Sequence, residues 1–174
     1  VKIRIIGACG SGKSTAARAL AVRFNIPCFE IDNIVWDRSE ESLRFPVEVR
    51  DRTFREILAR EDWVLEGVQH HWTGESFERA DVIFILNPHV FVRDYRILKR
   101  FIRSRSGIEP WNYEQSLSNL WKMITEWNHG YDMDEVLTVT NQFIHKRFIV
   151  KNVSEMIQHL EAFVIEGTTY KAIM

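Results

Sequence analysis

Gly7-Ala8-Cys9-Gly10-Ser11-Gly12-Lys13-Ser14 satisfies the spacing G-x-x-x-x-G-K-[ST] without exception. Gly7, Gly10 and Gly12 would be poor choices inside a strand or helix, since they lose backbone entropy and pack nothing. They suit a loop that curls until several backbone N–H groups point at one anion. A helix beginning just after the loop adds its unpaired N-terminal N–H groups and the positive end of its dipole. Lys13 would then reach the β- and γ-phosphates of a nucleoside triphosphate, and the Ser14 hydroxyl would ligate Mg²⁺. The expected cofactors are therefore ATP and Mg²⁺. Gly7, Cys9, Gly10, Ser11, Gly12, Lys13, Ser14 and Thr15 form the candidate binding loop. The alternative is a Gly-rich turn with an exposed lysine.

Two acids and a basic segment have types that complete such chemistry. Glu66 ends "WVLEG" and is the candidate second metal residue, holding Mg²⁺ through water. Asp32 ends "PCFEID" and can orient a substrate hydroxyl or accept its proton. Strand-end acids are also commonly just solvated. Arg96, Arg100 and Arg103 follow i, i+4, i+7 and line one helix face. That face can neutralise charge developing on a transferred phosphoryl group, whereas a solvated face is the plain reading of any single arginine. The candidate catalytic set is thus Lys13, Asp32, Arg96, Arg100 and Arg103.

Weaker candidates lie nearby. Gly67 and His70 follow Glu66, and Arg52 lies with Arg44 and Arg50 on a helix pattern; with Asp32, residues Arg52, Gly67 and His70 make the candidate acceptor site. Asn152 follows the last strand, where a purine ring can seat. Trp111, Trp121 and Trp127 read as packing residues, and Cys9 as a small side chain tolerated beside phosphate.

The elements that must position these groups follow from periodicity. Apolar runs at Val1–Ile6, Pro27–Asp32, Asp62–Gly67, Asp81–Leu86 and Arg147–Val150 read as strands. Helical patterns cover Ser14–Phe24, Val47–Arg60, His89–Arg105, Tyr113–Trp127, Asp132–Asn141 and Val153–Phe163. Strands alternating with helices predict an α/β fold with a parallel sheet. "SGIEP", from Ser106, breaks the basic helix in the manner of a hinge. The 174 residues predict a single domain, with an acceptor-binding excursion over 33–60 and a helical lid over 103–135.

The formal net charge of −1 gives no global attraction to nucleic acid or anionic lipid. No apolar run approaches the roughly 20 residues of a membrane span. With Cys9 and Cys28 the only cysteines and the first strand opening at Val1, a cytoplasmic chain with reduced thiols is expected. No metal-ligand spacing occurs between Ser106 and Gly130, and no guanine-reading N-K-x-D appears.

"IIGACGSGKST", "FEID", "WVLEG", "ERADVIFIL" and the R-x-x-x-R of "RILKR" together resemble the adenylate-kinase-like branch of P-loop kinases. Within it the chain is most similar to the bacterial DNA topology modulation (FlaR-related) proteins. The resemblance covers most of residues 1–105. It implies a three-layer P-loop NTPase fold, with a five-stranded parallel sheet of order 2-3-1-4-5 and an arginine-bearing lid. It carries Lys13 and Ser14 over as phosphate and Mg²⁺ residues, Glu66 as the metal-associated acid, and Arg96 and Arg100 as lid arginines. The implied activity is transfer of the γ-phosphoryl of ATP·Mg²⁺ to a nucleoside, nucleotide or other small acceptor. The alternative is a nucleotide-binding regulatory ATPase linked to DNA topology. Nucleoside monophosphate kinases of this branch show D-G-F-P-R after the third strand, whose arginine binds the acceptor's phosphate. Here the run is Glu66-Gly67-Val68-Gln69-His70, without arginine, which argues against a nucleotide acceptor.

Overall fold

A computed structural model describes residues 1–37, 39, 43–105 and 116–162. Five strands form one parallel sheet: β1 (Lys2–Ile6), β2 (Cys28–Glu30), β3 (Trp63–Glu66), β4 (Val82–Leu86) and β5 (Arg147–Val150), in the order β2-β3-β1-β4-β5. This is the order that the family resemblance implies. The register sets Ile5 of β1 beside Glu66 of β3 and Phe84 of β4, so the strands' carboxyl ends finish level. Ligands bind at that edge in open α/β sheets.

Alternation along β1 builds the layers. Ile3 and Ile5 face a core shared with Ala16, Ala17 and Leu20 of α1 (Lys13–Phe24) and Met156 and Leu160 of α8, helical over 153–162. Ile6 faces the opposite core, against α3 (Val47–Leu58) and α4 (Gly74–Arg79), with Phe54, Ile57, Leu58 and Phe77 buried there. All five residues of β4 are buried, as a central parallel strand requires.

Position 4 breaks the apolar rule. Arg4 is fully buried, and no carboxylate among the described residues pairs with it. Its guanidinium donates to Ser76 Oγ at 3.1 Å, Ile5 O at 2.6 Å, Leu65 O at 3.3 Å, Gly67 O at 3.4 Å and Gln69 O at 2.7 Å. It also lies 5.2 Å from the centroid of the Phe77 ring. Burial pulls its pKa down to about 10, so it stays charged at neutral pH.

Three features depart from the sequence-based elements. The second strand stops at Glu30, and Asp32 opens a short helix, α2 (Asp32–Val35), instead of ending the strand. Two further short elements, α4 and a 3₁₀ stretch over Asn141–Lys146, carry too few residues for a periodic signal. The tryptophan-rich helix is not uniform. Its described part is α6 (Leu117–Ile124), continued by a π turn, Thr125–His129, which Gly130 closes by donating to Thr125 O at 2.9 Å. The extra residue moves Asn128, not Trp127, onto the buried face below Met123. Trp127 is consequently 47% exposed, Trp121 on the outer face of α6 is 69% exposed, and neither packs as expected. Trp111, Tyr113, Ser106 and Gly107 lie outside the described residues. α7 (Met133–Val139) follows. Among the described residues no helix is long and apolar enough to cross a membrane.

Candidate active site

The glycine-rich loop joins β1 to α1. Gly10 (φ 74°) and Gly12 (φ 93°) sit in the left-handed region that L side chains rarely adopt. Gly7 answers a different need: a Cβ there would lie 2.5 Å from Leu86 O, so the loop can pass the end of β4 only without a side chain. Within the loop, Ser11 N donates to Ala8 O at 3.2 Å, tightening the turn. The amides of Gly10, Gly12, Lys13, Ser14 and Thr15 have no acceptor among the described residues. Lys13 folds back so that Nζ donates to Ala8 O at 3.3 Å.

Glu66 comes to this loop from β3. Ser14 Oγ donates to Glu66 Oε1 at 2.6 Å, across 52 positions of chain. Glu66 is 4% exposed, and its Oε2 is buried without a hydrogen-bond partner. Desolvation raises the Glu66 pKa, opposed by the Lys13 charge and the Ser14 hydrogen bond, while Glu30 and Asp32 raise it further. An orphaned carboxylate oxygen beside a serine hydroxyl is a hard-oxygen donor set, and it fits Mg²⁺. Ser11 Oγ is likewise buried and unpartnered in the loop. Unused amides and an uncompensated carboxylate are what ATP·Mg²⁺ would satisfy.

α5 (Val90–Arg105) starts beyond β4 and packs on the loop. Ile97 and Phe101 are its buried anchors. A Cβ on Gly10 would meet Arg93 O at 2.7 Å and Ile97 Cγ1 at 2.9 Å, so loop and helix touch directly. Arg96 Nη1 donates to Ser11 O at 2.6 Å. Arg100 Nη2 lies 4.0 Å from Cys9 Sγ and 3.9 Å from Met123 Sδ, between loop and α6. The π turn also reaches the loop, where Cys9 N donates to Trp127 O at 3.4 Å. Asn128 Nδ2 ties this turn to Asp94 of α5 at 2.6 Å. Arg103 is exposed one turn beyond Arg100.

Asp32 accepts from Gln69 Nε2 at 2.7 Å through Oδ1 and lies close enough to Glu66 for the two charges to repel. Gly67 is packed so closely that a Cβ would meet Gln69 Oε1 at 2.7 Å and Ile31 Cβ at 2.8 Å. Lys13, Ser14, Asp32, Glu66, Arg96 and Arg100 therefore converge on the loop and the carboxyl ends of β1 and β3. The other candidates are placed differently. Arg52 is exposed on α3; its neighbours Arg44 and Arg50 stack on Trp36 at 4.5 Å and Trp72 at 4.2 Å. His70 is turned away, 7% exposed, toward Glu135. Asn152 caps α8: its Oδ1 accepts from Glu155 N at 3.0 Å, and its Nδ2 donates back to Glu155 Oε1 at 2.9 Å. A separate cleft of about 470 Å³ is bounded by Arg18, Glu30, Asn33, Thr53 and Arg60 outside β2, with no loop residue in its walls.

Sequence reasoning missed Arg4 and Asn128, which hold these groups in place. Gln69 follows Glu66 in sequence, but its amide's reach to Asp32 depends on a turn with no local signature.

No protein-family model matches the sequence. The chain is 29% identical over 165 residues to a cytidylate kinase of Methanothermobacter thermautotrophicus, covering 81% of this chain and 96% of that protein. Among solved structures it is similar to a gluconokinase from Sinorhizobium meliloti, with a TM-score of 0.53 and 16% identity, covering 98% of this chain and 96% of that one. It is also similar to the shikimate kinase of Acinetobacter baumannii in complex with shikimate, with a TM-score of 0.57 and 16% identity, covering 95% and 93%. These likenesses fix the fold as the three-layer P-loop arrangement. None of these relatives is a DNA topology modulation protein.

Proposed function

We propose that this chain is a P-loop phosphotransferase that moves the γ-phosphoryl of ATP·Mg²⁺ to a small-molecule acceptor. One observation carries the reading: the 2.6 Å contact between Ser14 and a buried Glu66 whose second oxygen is uncompensated, beneath a loop of unpartnered amides. The kinase likenesses in sequence and fold support it.

The amides of Gly10, Gly12, Lys13, Ser14 and Thr15 bind the donor's phosphates, and Gly7, Cys9 and Ser11 shape the loop around them. Ser14 and Glu66 hold Mg²⁺, which when bound neutralises charge on the phosphate oxygens. Lys13 exchanges Ala8 O for a phosphate oxygen. Arg96 and Arg100, already against the loop, stabilise charge on the transferred group, with Arg103 one turn further along. An acceptor hydroxyl oxygen forms the new bond to the γ-phosphorus as the bond to the bridging oxygen of ADP breaks. Asp32, oriented by Gln69, takes the hydroxyl proton. Gly67 borders the acceptor side, whereas Arg52, exposed on α3, and His70, turned toward Glu135, stand back from it; the described part of the 33–60 excursion forms its wall. The 103–135 segment serves as the lid. Asn152, released from its cap, is the proposed purine contact.

Hydroxyl compounds fit this site better than nucleoside monophosphates. The position after Gly67 that would carry a phosphate-binding arginine is taken by Val68-Gln69-His70, and Arg44 and Arg50 are occupied on tryptophans. The test is transfer from γ-labelled ATP·Mg²⁺ to a panel of sugar acids, hydroxy acids, nucleosides and nucleoside monophosphates, CMP included. We expect one hydroxyl acceptor to be labelled. Lys13→Ala should lower turnover by about 10²–10³-fold while the circular dichroism spectrum is kept. No labelled acceptor, or unchanged turnover in that variant, rejects the reading.

A further inference from the structure

Past Gln69 the chain turns from the loop region toward α7 and sets two imidazoles against one carboxylate. His70 Nε2 lies 3.2 Å from Glu135 Oε2, and His71 Nδ1 lies 3.4 Å from Glu135 Oε1. The ligand-type atoms of all three residues fall within 4.8 Å of one another. The His70 and His71 rings are 4.1 Å apart between centroids. Tyr131 stands edge-on to His70 at 6.5 Å.

The hydrogen-bond accounting at His70 points to a cation. Its Nδ1 is bonded at 3.4 Å to Val68 O, which can only accept, so the proton of a neutral ring belongs on Nδ1. Nε2 then presents a lone pair. That atom is buried in a residue 7% exposed, and it has no hydrogen-bond partner. Facing it is a carboxylate oxygen, another electron-rich atom. Two lone pairs opposed at 3.2 Å, one of them on a buried ring, repel unless positive charge lies between them. The charge is either a second proton on His70 or a metal ion. The second is favoured by His71, whose Nδ1 lies beside the other oxygen of the same carboxylate and completes a nitrogen–nitrogen–oxygen set. Histidine ligands commonly donate their other ring N–H to a backbone carbonyl, as His70 does to Val68.

We propose that His70, His71 and Glu135 form a site for a first-row divalent transition ion of the zinc class. Two imidazoles and one carboxylate, with His71 exposed to solvent, suit Zn²⁺ in four-coordination with water as the remaining ligand. The ion would be distinct from the Mg²⁺ of the phosphate loop, whose donors are hard oxygens. It would clasp the segment after β3 to the first turn of α7. His70 directly follows Gln69, so the clasp would fix the run that orients Asp32. The metal site does not rest on the phosphotransferase reading, and its test needs no nucleotide.

The test uses chelator-stripped protein titrated with Co²⁺ and followed by visible absorption, with Zn²⁺ competition and elemental analysis for stoichiometry. We expect one equivalent per chain, displaced by Zn²⁺, and a higher melting temperature with Zn²⁺. His71→Ala and Glu135→Gln, at accessible positions, should each weaken Co²⁺ binding at least tenfold while remaining folded. Glu66→Gln should bind Co²⁺ as the parent does. No stoichiometric Co²⁺ or Zn²⁺ binding by the parent chain overturns the proposal. Binding untouched by His71→Ala and Glu135→Gln, or lost in Glu66→Gln, overturns it equally.

Discussion

Glu66 holds a position that works against stability. Its carboxylate is buried, half-satisfied by Ser14 and close to Asp32 and Glu30, and desolvation raises its pKa. The folded chain therefore holds this proton more tightly than the unfolded chain does. Stability is lost as pH rises from the unfolded carboxyl pKa through the raised folded one, and the cost is present in full above both. Glu66→Gln keeps an acceptor for Ser14 and removes the buried charge. Without Mg²⁺ we expect the variant to melt higher than the parent at pH 7.5, by about 2–4 °C for each kcal/mol relieved. The advantage should disappear as pH falls through the raised carboxyl titration. Phosphoryl transfer should fall at the same time, because the amide cannot supply the anionic oxygen. Calorimetry across pH, beside a turnover assay, checks both halves; a variant less stable than the parent at pH 7.5 would mean the charge is already compensated. Glycine spacing made the loop legible in the sequence, because a backbone anion site tolerates few other residues there. Glu66 was legible from its place at a strand end. Its missing partner was not, since that depends on what the fold leaves out of reach.

Elements with a strong period were equally legible, and those that turn on a single residue were not. The five strands and the α1, α3 and α5 helices follow from apolar runs and from the face formed by Phe54, Ile57 and Leu58. The π turn is a one-residue insertion in helical phase, and local composition does not announce it. Arg4 sits inside an apolar run that reads as a plain buried strand. Its charge is satisfied by carbonyls of β3 and the following turn, more than 60 positions away. This side chain fastens the Gly67–Gln69 turn to β1, so it also fixes the amide that orients Asp32. Arg4→Met matches its length but removes every guanidinium bond; Ile5 O keeps Gly67 N and Gln69 O keeps Thr73 Oγ1 as donors, so the cost is the lost charge-assisted bonds, about 1.5–3 kcal/mol each before relaxation. We expect a loss of at least about 3 kcal/mol in urea unfolding. Arg4→Lys should recover little of it, because an ammonium cannot reach the same fork of acceptors. A full recovery with lysine would show that charge alone, not the guanidinium geometry, holds the turn.

At the scale of the whole molecule, strand–helix alternation pointed to the parallel α/β class, and the family resemblance implied the sheet order. The acceptor followed from neither, because specificity lies in turns and in long side chains crossing between elements. The nucleotide site lies where β1, β3, α1, α5 and the π turn meet: Ser14 joins Glu66, Arg96 joins Ser11, and Cys9 joins Trp127. A ligand seated there bonds to parts of the chain brought together only by global folding. Its binding free energy must therefore appear as resistance to unfolding of the entire domain. At a free ATP·Mg²⁺ concentration of about 100 times Kd the gain is about 2.7 kcal/mol, if the unfolded chain does not bind. For a chain of this size that corresponds to a rise in Tm of about 5–11 °C. The rise should grow with the logarithm of ligand concentration and shrink when EDTA removes Mg²⁺. It should be largely absent from Lys13→Ala, whose own Tm without ligand should fall slightly because buried Glu66 loses the opposing Lys13 charge. Scanning fluorimetry over a nucleotide series measures all of this at once. A parent chain whose Tm is indifferent to every nucleoside triphosphate with Mg²⁺ would mean that the unpartnered amides of the loop serve no phosphate.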